Sequence, residues 1–194
     1  FFCAHLCIRS PGIVGIKMPH AWKAGTQTQL LYEQLKAMRK GGKVVMTIPQ
    51  APFRCPPGPY ERACQIALFL KQHNPTAKLI ILDANGDIVS KKALFKGVWD
   101  DRYADIIDYQ PSNGIETVDV DTLTVEGLFD KVQADVLNVI PPQRAGKVAE
   151  LAGVMNVDKR WCEVEFSNYE ATAGTEVPVK SYDWEATLTR ASAI

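Results

Sequence analysis

Apolar and polar positions along the chain fall into two periods. In TQTQLLYEQLKAMRK, Leu31, Leu35 and Met38 recur at i, i+4 and i+7, which predicts an amphipathic helix over Thr26–Lys40. Thr26 and Gln29 have the spacing of a capping box, and Gly41-Gly42 is the stop. KVVMTIP, Lys43 to Pro49, is short, apolar and β-branched and reads as a buried strand. A second helix is predicted over Pro59–His73, with Gly58 as cap, Pro59 at the first helical position and Asn74-Pro75 as stop. The apolar run Leu79–Leu82 follows and ends in Asp83. Strand, helix and strand fit within about 40 residues, the size of one βαβ unit, so the two strands are expected to be parallel with a right-handed crossover.

The middle is less regular. SKKALFKGVWDDRYADI suits one or two short helices, with Lys91-Lys92 and Asp100-Asp101 on solvated faces. ETVDVDTLTVEG alternates on both sides of Asp121-Thr122 and reads as a hairpin. ADVLNVIPP reads as another buried strand and Arg144–Ala152 as a short helix stopped by Gly153, while residues from about Glu165 are weakly patterned. The expected fold is α/β: a Rossmann-like parallel sheet with flanking helices and a small antiparallel crossover hairpin.

Composition narrows the classes without choosing a function. The 194 residues hold 22 basic and 22 acidic side chains, so no net field favours nucleic acid or an anionic membrane. No run approaches the roughly 18 apolar residues of a membrane span. The first residues are apolar with no basic segment before them, a poor match to a signal peptide. Five cysteines are too few for a disulfide scaffold, and the odd number leaves at least one unpaired within the chain. Cys3, His5 and Cys7 lack a fourth ligand, so no metal is expected there.

The βα connection, QAPFRCPPGPYERA, is where candidate chemistry concentrates. A dinucleotide-binding turn needs G-x-G-x-x-G so that backbone amides can approach pyrophosphate. This connection has one glycine, and its prolines remove amides. Asp83 stands where a ribose-binding acid would, but without the glycines a solvated strand-end acid is the better reading. The topology is that of a dinucleotide domain without nicotinamide binding. Cys55 lies just before a predicted helix N-terminus and next to Arg54, a setting that favours a thiolate. The same residues also suit an inert buried cysteine in a stiff turn. Glu61, in the first helical turn, suits the dipole and is also a candidate general base.

PHAWKAG (Pro19–Gly25), APFRCPPGPYERA (Ala51–Ala63), KLIILD (Lys78–Asp83), QADVLNVIPPQRAGKVAELAG (Gln133–Gly153) and Trp161-Cys162 together resemble the flavoprotein subunit of flavocytochrome c sulfide dehydrogenase, over about Met18 to Phe166. The resemblance implies the second nucleotide-type domain of a glutathione-reductase-like flavoprotein that oxidises sulfide with FAD and passes electrons to a c-type cytochrome in the periplasm. It implies that Cys55 is half of a redox disulfide beside the flavin, that Glu61 is an acid/base, and that Pro56, Trp22 and Lys23 lie on the cofactor side. Residues 1–25 then correspond to a remnant of the FAD domain and linker, 26–142 to the Rossmann-like domain, and 143–194 to a return into the FAD domain with an atypical tail. The family's phosphate-binding glycines and its flavin-contacting Gly-Asp pair have no counterpart here, so the chain is expected to be a fragment that does not retain FAD. Cys162 corresponds to a family cysteine other than the redox partner. A sulfide:quinone oxidoreductase-like flavoprotein, an inactive Rossmann-like scaffold and a nicotinamide-binding module are the alternatives.

Overall fold

The computed structural model of the chain describes residues 7–9 and 17–173, with side chains from residue 17 onward. Cys3, His5 and Cys7 and the tail beyond residue 173 lie outside the described side chains. The chain divides into two units, one running to Ala51 and again over Pro57–Pro142, the other made of Pro52–Pro56 and the residues from Gln143 on.

The first unit is built on a four-stranded sheet, β2 (Lys43–Ile48), β3 (Lys78–Asp83), β4 (Ile107–Gln110) and β8 (Val136–Val139). Its order is β4-β3-β2-β8 and every pair is parallel. Val45 pairs with Ile80 and with Leu137 in register. Helix α1 (Thr26–Ala37) lies against β8, α2 (Gly58–His73) against β3, and α3 (Lys92–Arg102) joins β3 to β4. A second sheet, ordered β1-β5-β6-β7, contains β1 (Cys7–Arg9), β5 (Ile115–Asp119), β6 (Thr124–Gly127) and β7 (Lys131–Gln133). Its β5–β6 and β6–β7 pairs are antiparallel, and β1 joins β5 in parallel. This meander is the crossover between β4 and β8.

Alternation along the strands explains the two layers. Val45, Leu82, Leu137 and Val139 share a buried cluster with Val118, Val120 and Val125 of the meander. Val44 and Met46, one position away from Val45, are also fully buried and face the helical layer. Strands buried on both faces read as unbroken apolar runs, as KVVMTI and VLNV do.

Several boundaries move. Helix α1 ends at Ala37, short of the expected Lys40, and a left-handed Gly41 turns the chain into β2. Asn74 pins that turn, accepting from the Gly41 amide at 3.0 Å and donating to the Arg39 carbonyl at 2.9 Å. The capping box does not form. Gly25 is the N-cap, so Thr26 is already helical, and the Gly25 carbonyl takes the Thr28 hydroxyl at 2.7 Å. Helix α2 begins at Gly58 with Pro57 as N-cap, one residue earlier than expected. Strands β4 and β7 were not anticipated, being short and only partly buried.

The second unit has its own small core of Ala145, Ala149, Val154, Trp161, Cys162 and Val164. Its helix α4 covers only Lys147–Leu151 rather than Arg144–Ala152. The Ala145 amide bonds the Arg160 carbonyl at 2.7 Å and Gly146 is extended, so the helix starts late; left-handed Gly153 ends it.

Candidate functional site

In open parallel sheets, ligands bind outside the carboxyl ends of the strands, where the strand order reverses. Here that edge lies beyond β2, β3, β4 and β8. The loops after three of these strands are tied together: the Ala84 amide bonds the Ile48 carbonyl at 3.0 Å, Ser112 N bonds Asn85 O at 2.8 Å, and Asn113 N bonds Asp83 O at 2.8 Å.

Asp83 is the centre of this edge and is fully buried. One carboxylate oxygen accepts the Tyr60 hydroxyl at 3.0 Å and the Tyr109 hydroxyl at 2.9 Å. The other accepts the Asn85 amide at 2.9 Å and Asn85 Nδ2 at 2.7 Å. A carboxylate offers about four acceptor positions, and all are taken by protein donors. Burial raises the Asp83 pKa above the ordinary carboxylate value, although its bonds to Asn85, Tyr109 and Tyr60 pull the other way. Burial and then the Asp83 charge push both phenols above the ordinary tyrosine range, so each remains a protonated donor. The expectation of a solvated strand-end acid is therefore corrected. Tyr60 and Tyr109 reach Asp83 across the sheet edge and exclude water from it.

Asn85 extends the network toward β2. It is buried; its Nδ2 donates to the Pro49 carbonyl at 3.0 Å, and its Oδ1 accepts the Ala51 amide at 2.9 Å and Gln50 Nε2 at 3.2 Å. The Ala51 amide is one of the backbone donors that a phosphate turn would leave open. With that amide engaged, Asp83 saturated and the next residues rich in proline, the first unit does not fit a dinucleotide. Behind the network, Tyr60 packs on Phe95 with ring centroids 5.7 Å apart, and Trp99 on Tyr109 at 5.4 Å. The Trp99 indole N–H points at Cys64 Sγ, 3.2 Å away.

A second cluster organises PHAWKAG. Arg62 of α2 donates to the His20 carbonyl at 2.9 Å and to the Ala21 carbonyl, and its guanidinium lies 5.0 Å from the Trp22 ring centroid. Asn138 of β8 donates to the Pro19 and His20 carbonyls at 2.7 and 3.0 Å. Burial lowers the Arg62 pKa to about 10, still a cation at neutral pH. Burial, then the charges of Lys23 and Arg62, lower the His20 pKa. The imidazole Nδ1 accepts the Trp22 amide at 2.9 Å, which suits a neutral ring. Trp22 is thus half-buried against an arginine, and Lys23 is exposed.

In the second unit, Cys55 is an exposed free thiol with φ of 54°, a left-handed conformation uncommon for a residue with a Cβ. Beside it the Arg54 amide donates to Gln143 Oε1 at 2.8 Å, Phe53 is buried and Pro56 is half-buried. Glu61 belongs to the first unit, exposed in the first turn of α2. Tyr60, Asn85, Arg62 and Asn138 were missed at the sequence level. Only Asn85 carried a local signal there, as an Asx residue two positions after a strand-end acid.

Comparison with known proteins matches residues 28–141 to the family described as sulfide dehydrogenase (flavocytochrome c) flavoprotein chain, central. Among solved structures, a chain of the Tetrahymena thermophila mitochondrial ATP synthase shares 14% identity at a TM-score of 0.58, over 88% of this chain and 44% of its own. The water-forming NADH oxidase from Lactobacillus brevis, solved with NADH bound, shares 10% identity at a TM-score of 0.51, over 88% of this chain and 32% of its own. The chain thus spans less than half the length of either structure, and the likeness is one of fold. Among the described residues no helix is long and apolar enough to cross a membrane.

Proposed function

The chain belongs to the family of the central region of the sulfide dehydrogenase (flavocytochrome c) flavoprotein chain, and on that premise we propose that it is the central domain of an FAD-dependent sulfide dehydrogenase in which Cys55 receives the substrate sulfur. In this reading hydrosulfide attacks a disulfide formed between Cys55 and a second cysteine of the complete flavoprotein. A new S–S bond forms to one cysteine as a persulfide, the old S–S bond breaks, and the other cysteine leaves as a thiolate. The disulfide itself takes the electron pair, so the step needs no other oxidant. Glu61 is assigned the proton that the persulfide sulfur releases. Pro56, Trp22 and Lys23 are assigned to the cofactor side.

The first unit does not fit a dinucleotide, so FAD, which supplies two-electron acceptor chemistry when bound, is assigned to other parts of the complete flavoprotein. No step given to this chain passes through it. Residues 26–142 are then the nucleotide-type domain without nicotinamide, and 1–25 and 143–194 belong to the FAD lobe. A c-type cytochrome subunit as electron acceptor and a periplasmic setting follow from the same family reading.

The observation that supports this most directly is Cys55 itself, an exposed free thiol inside the matched residues. The saturated Asp83 edge favours a second reading, a catalytically inactive scaffold. Sulfide treatment of the complete flavoprotein, purified with its flavin, separates them. The enzyme reading expects flavin absorption bleached by sulfide and cyanide-labile sulfur on Cys55, both lost in Cys55→Ser. A complete protein that is colourless and forms no persulfide supports the scaffold. Reduction of quinone but not of a c-type cytochrome would place the protein with the sulfide:quinone oxidoreductases.

A further inference from the structure

We propose that Asn85, with Asp83 and Tyr60, is a positioning device for the loop that carries Cys55; this rests on the reading of Cys55 as the sulfur-accepting group. The chain leaves the first unit at Ala51 and re-enters it at Pro57. Asn85 holds the departing end: it takes the Ala51 amide at 2.9 Å and Gln50 Nε2 at 3.2 Å, and donates to the Pro49 carbonyl at 3.0 Å. Asp83 holds the returning end, accepting the hydroxyl of Tyr60, which lies just beyond Pro57, at 3.0 Å. The two anchors are joined, because Asn85 donates to Asp83 from both its backbone amide and its Nδ2. One buried network of side chains therefore grips both ends of a five-residue excursion, Pro52–Pro56. Inside the excursion Cys55 is left-handed, a conformation that persists only where its surroundings over-determine it. Pro52, Pro56 and Pro57 fix φ in the chain, and the network fixes the ends. The acid that a nucleotide domain turns toward a ribose is used here to hold the two ends of a loop.

The test compares Asn85→Ala with the unaltered protein by mass-spectrometric mapping of iodoacetamide labelling over time at neutral pH, and by hydrogen exchange. Cys64 of α2, held under the Trp99 indole of α3, is the internal control. The expected result has three parts. Ala51 amide exchange accelerates at least about tenfold. Cys55 labelling at neutral pH changes at least about threefold, because the loop that carries it loses the anchor at its departing end. Labelling of Cys64 stays the same. An unchanged Cys55 labelling rate overturns the proposal. So does a change in Cys55 matched by Cys64, which would mean that Asn85 only supports the fold. Should Asn85→Ala not fold, Tyr60→Phe releases the returning end and is read in the same way. None of these measurements needs sulfide or flavin. Failure of the positioning proposal is therefore separable from failure of the sulfide dehydrogenase reading, which the persulfide and bleaching experiments report.

Discussion

Replacing Tyr60 by Phe removes one oxygen from a fully buried site and changes almost no volume. The lost hydroxyl donates to Asp83 at 3.0 Å and accepts the Val89 amide at 3.1 Å. A hydrogen bond to a charged group contributes about 1.5–3 kcal/mol. Val89 is partly exposed and its amide can turn to water, so the cost falls mainly on Asp83, which keeps Tyr109 and the two donors of Asn85. The expected loss at neutral pH is about 2 kcal/mol, a fall in Tm of roughly 4–8 °C for a domain of this size. The pH dependence adds a signature. The folded pKa of Asp83 is raised above 3.8, so the native state holds this proton more tightly than the unfolded state. Protonation as pH falls through the folded pKa therefore favours the native state, and stability from this group declines as pH rises through that window. The Tyr60 hydrogen bond lowers the Asp83 pKa, so its removal raises the folded value further and weakens the ionised site most. Urea titrations from neutral pH toward pH values near 4 should show the Tyr60→Phe deficit shrinking as Asp83 becomes protonated. A deficit below about 0.5 kcal/mol at neutral pH, or one that grows on acidification, would refute the picture of an ionised Asp83 held by phenol donors.

Arg62→Lys should destabilise the protein by about 1–3 kcal/mol and shift Trp22 fluorescence, because an ammonium cannot hold the paired His20 and Ala21 carbonyls and the indole face together; an unchanged emission spectrum would remove the stacking argument. NADH at millimolar concentration should show no saturable binding by calorimetry, since every acceptor position of Asp83 is occupied; a defined isotherm would contradict the closed edge. Trp99→Phe removes the indole donor to Cys64 and should speed alkylation of that thiol severalfold while leaving Cys55 unchanged. The His20 imidazole should titrate below 6.5 by NMR, with its contribution to stability lost as pH falls from 6.5 through the folded pKa, because the folded value is lowered; a midpoint above 6.5 would contradict the burial of a neutral ring.

Local pattern determined most of the layer that repeats locally. The unbroken apolar runs of KVVMTI and KLIILD, joined by a helix with Pro near its start and Asn74 at its end, specify a βαβ unit, and β2, α2 and β3 follow. Alternation around Asp121-Thr122 specifies the β5–β6 hairpin. The proline-rich Cys55 connection, with too few glycines for a phosphate turn, was also legible, since a missing amide is a property of one residue. Helix ends were less so. Whether Gly25 or Thr26 caps α1 depends on backbone dihedrals that several residue types permit. Strands β4 and β7 carry too little apolar signal and exist because a neighbouring strand supplies their hydrogen bonds. The fate of Asp83 was decided wholly at the tertiary level. Tyr60 lies 23 residues before it and Tyr109 lies 26 after it. Only the parallel register of β3 with β4, and the packing of α2 on β3, bring both hydroxyls to one carboxylate. Sequence periodicity reports which face a residue occupies; it carries no information on which distant donors share that face. An acid that looks solvated in its own segment is therefore buried and saturated once the strands are in register.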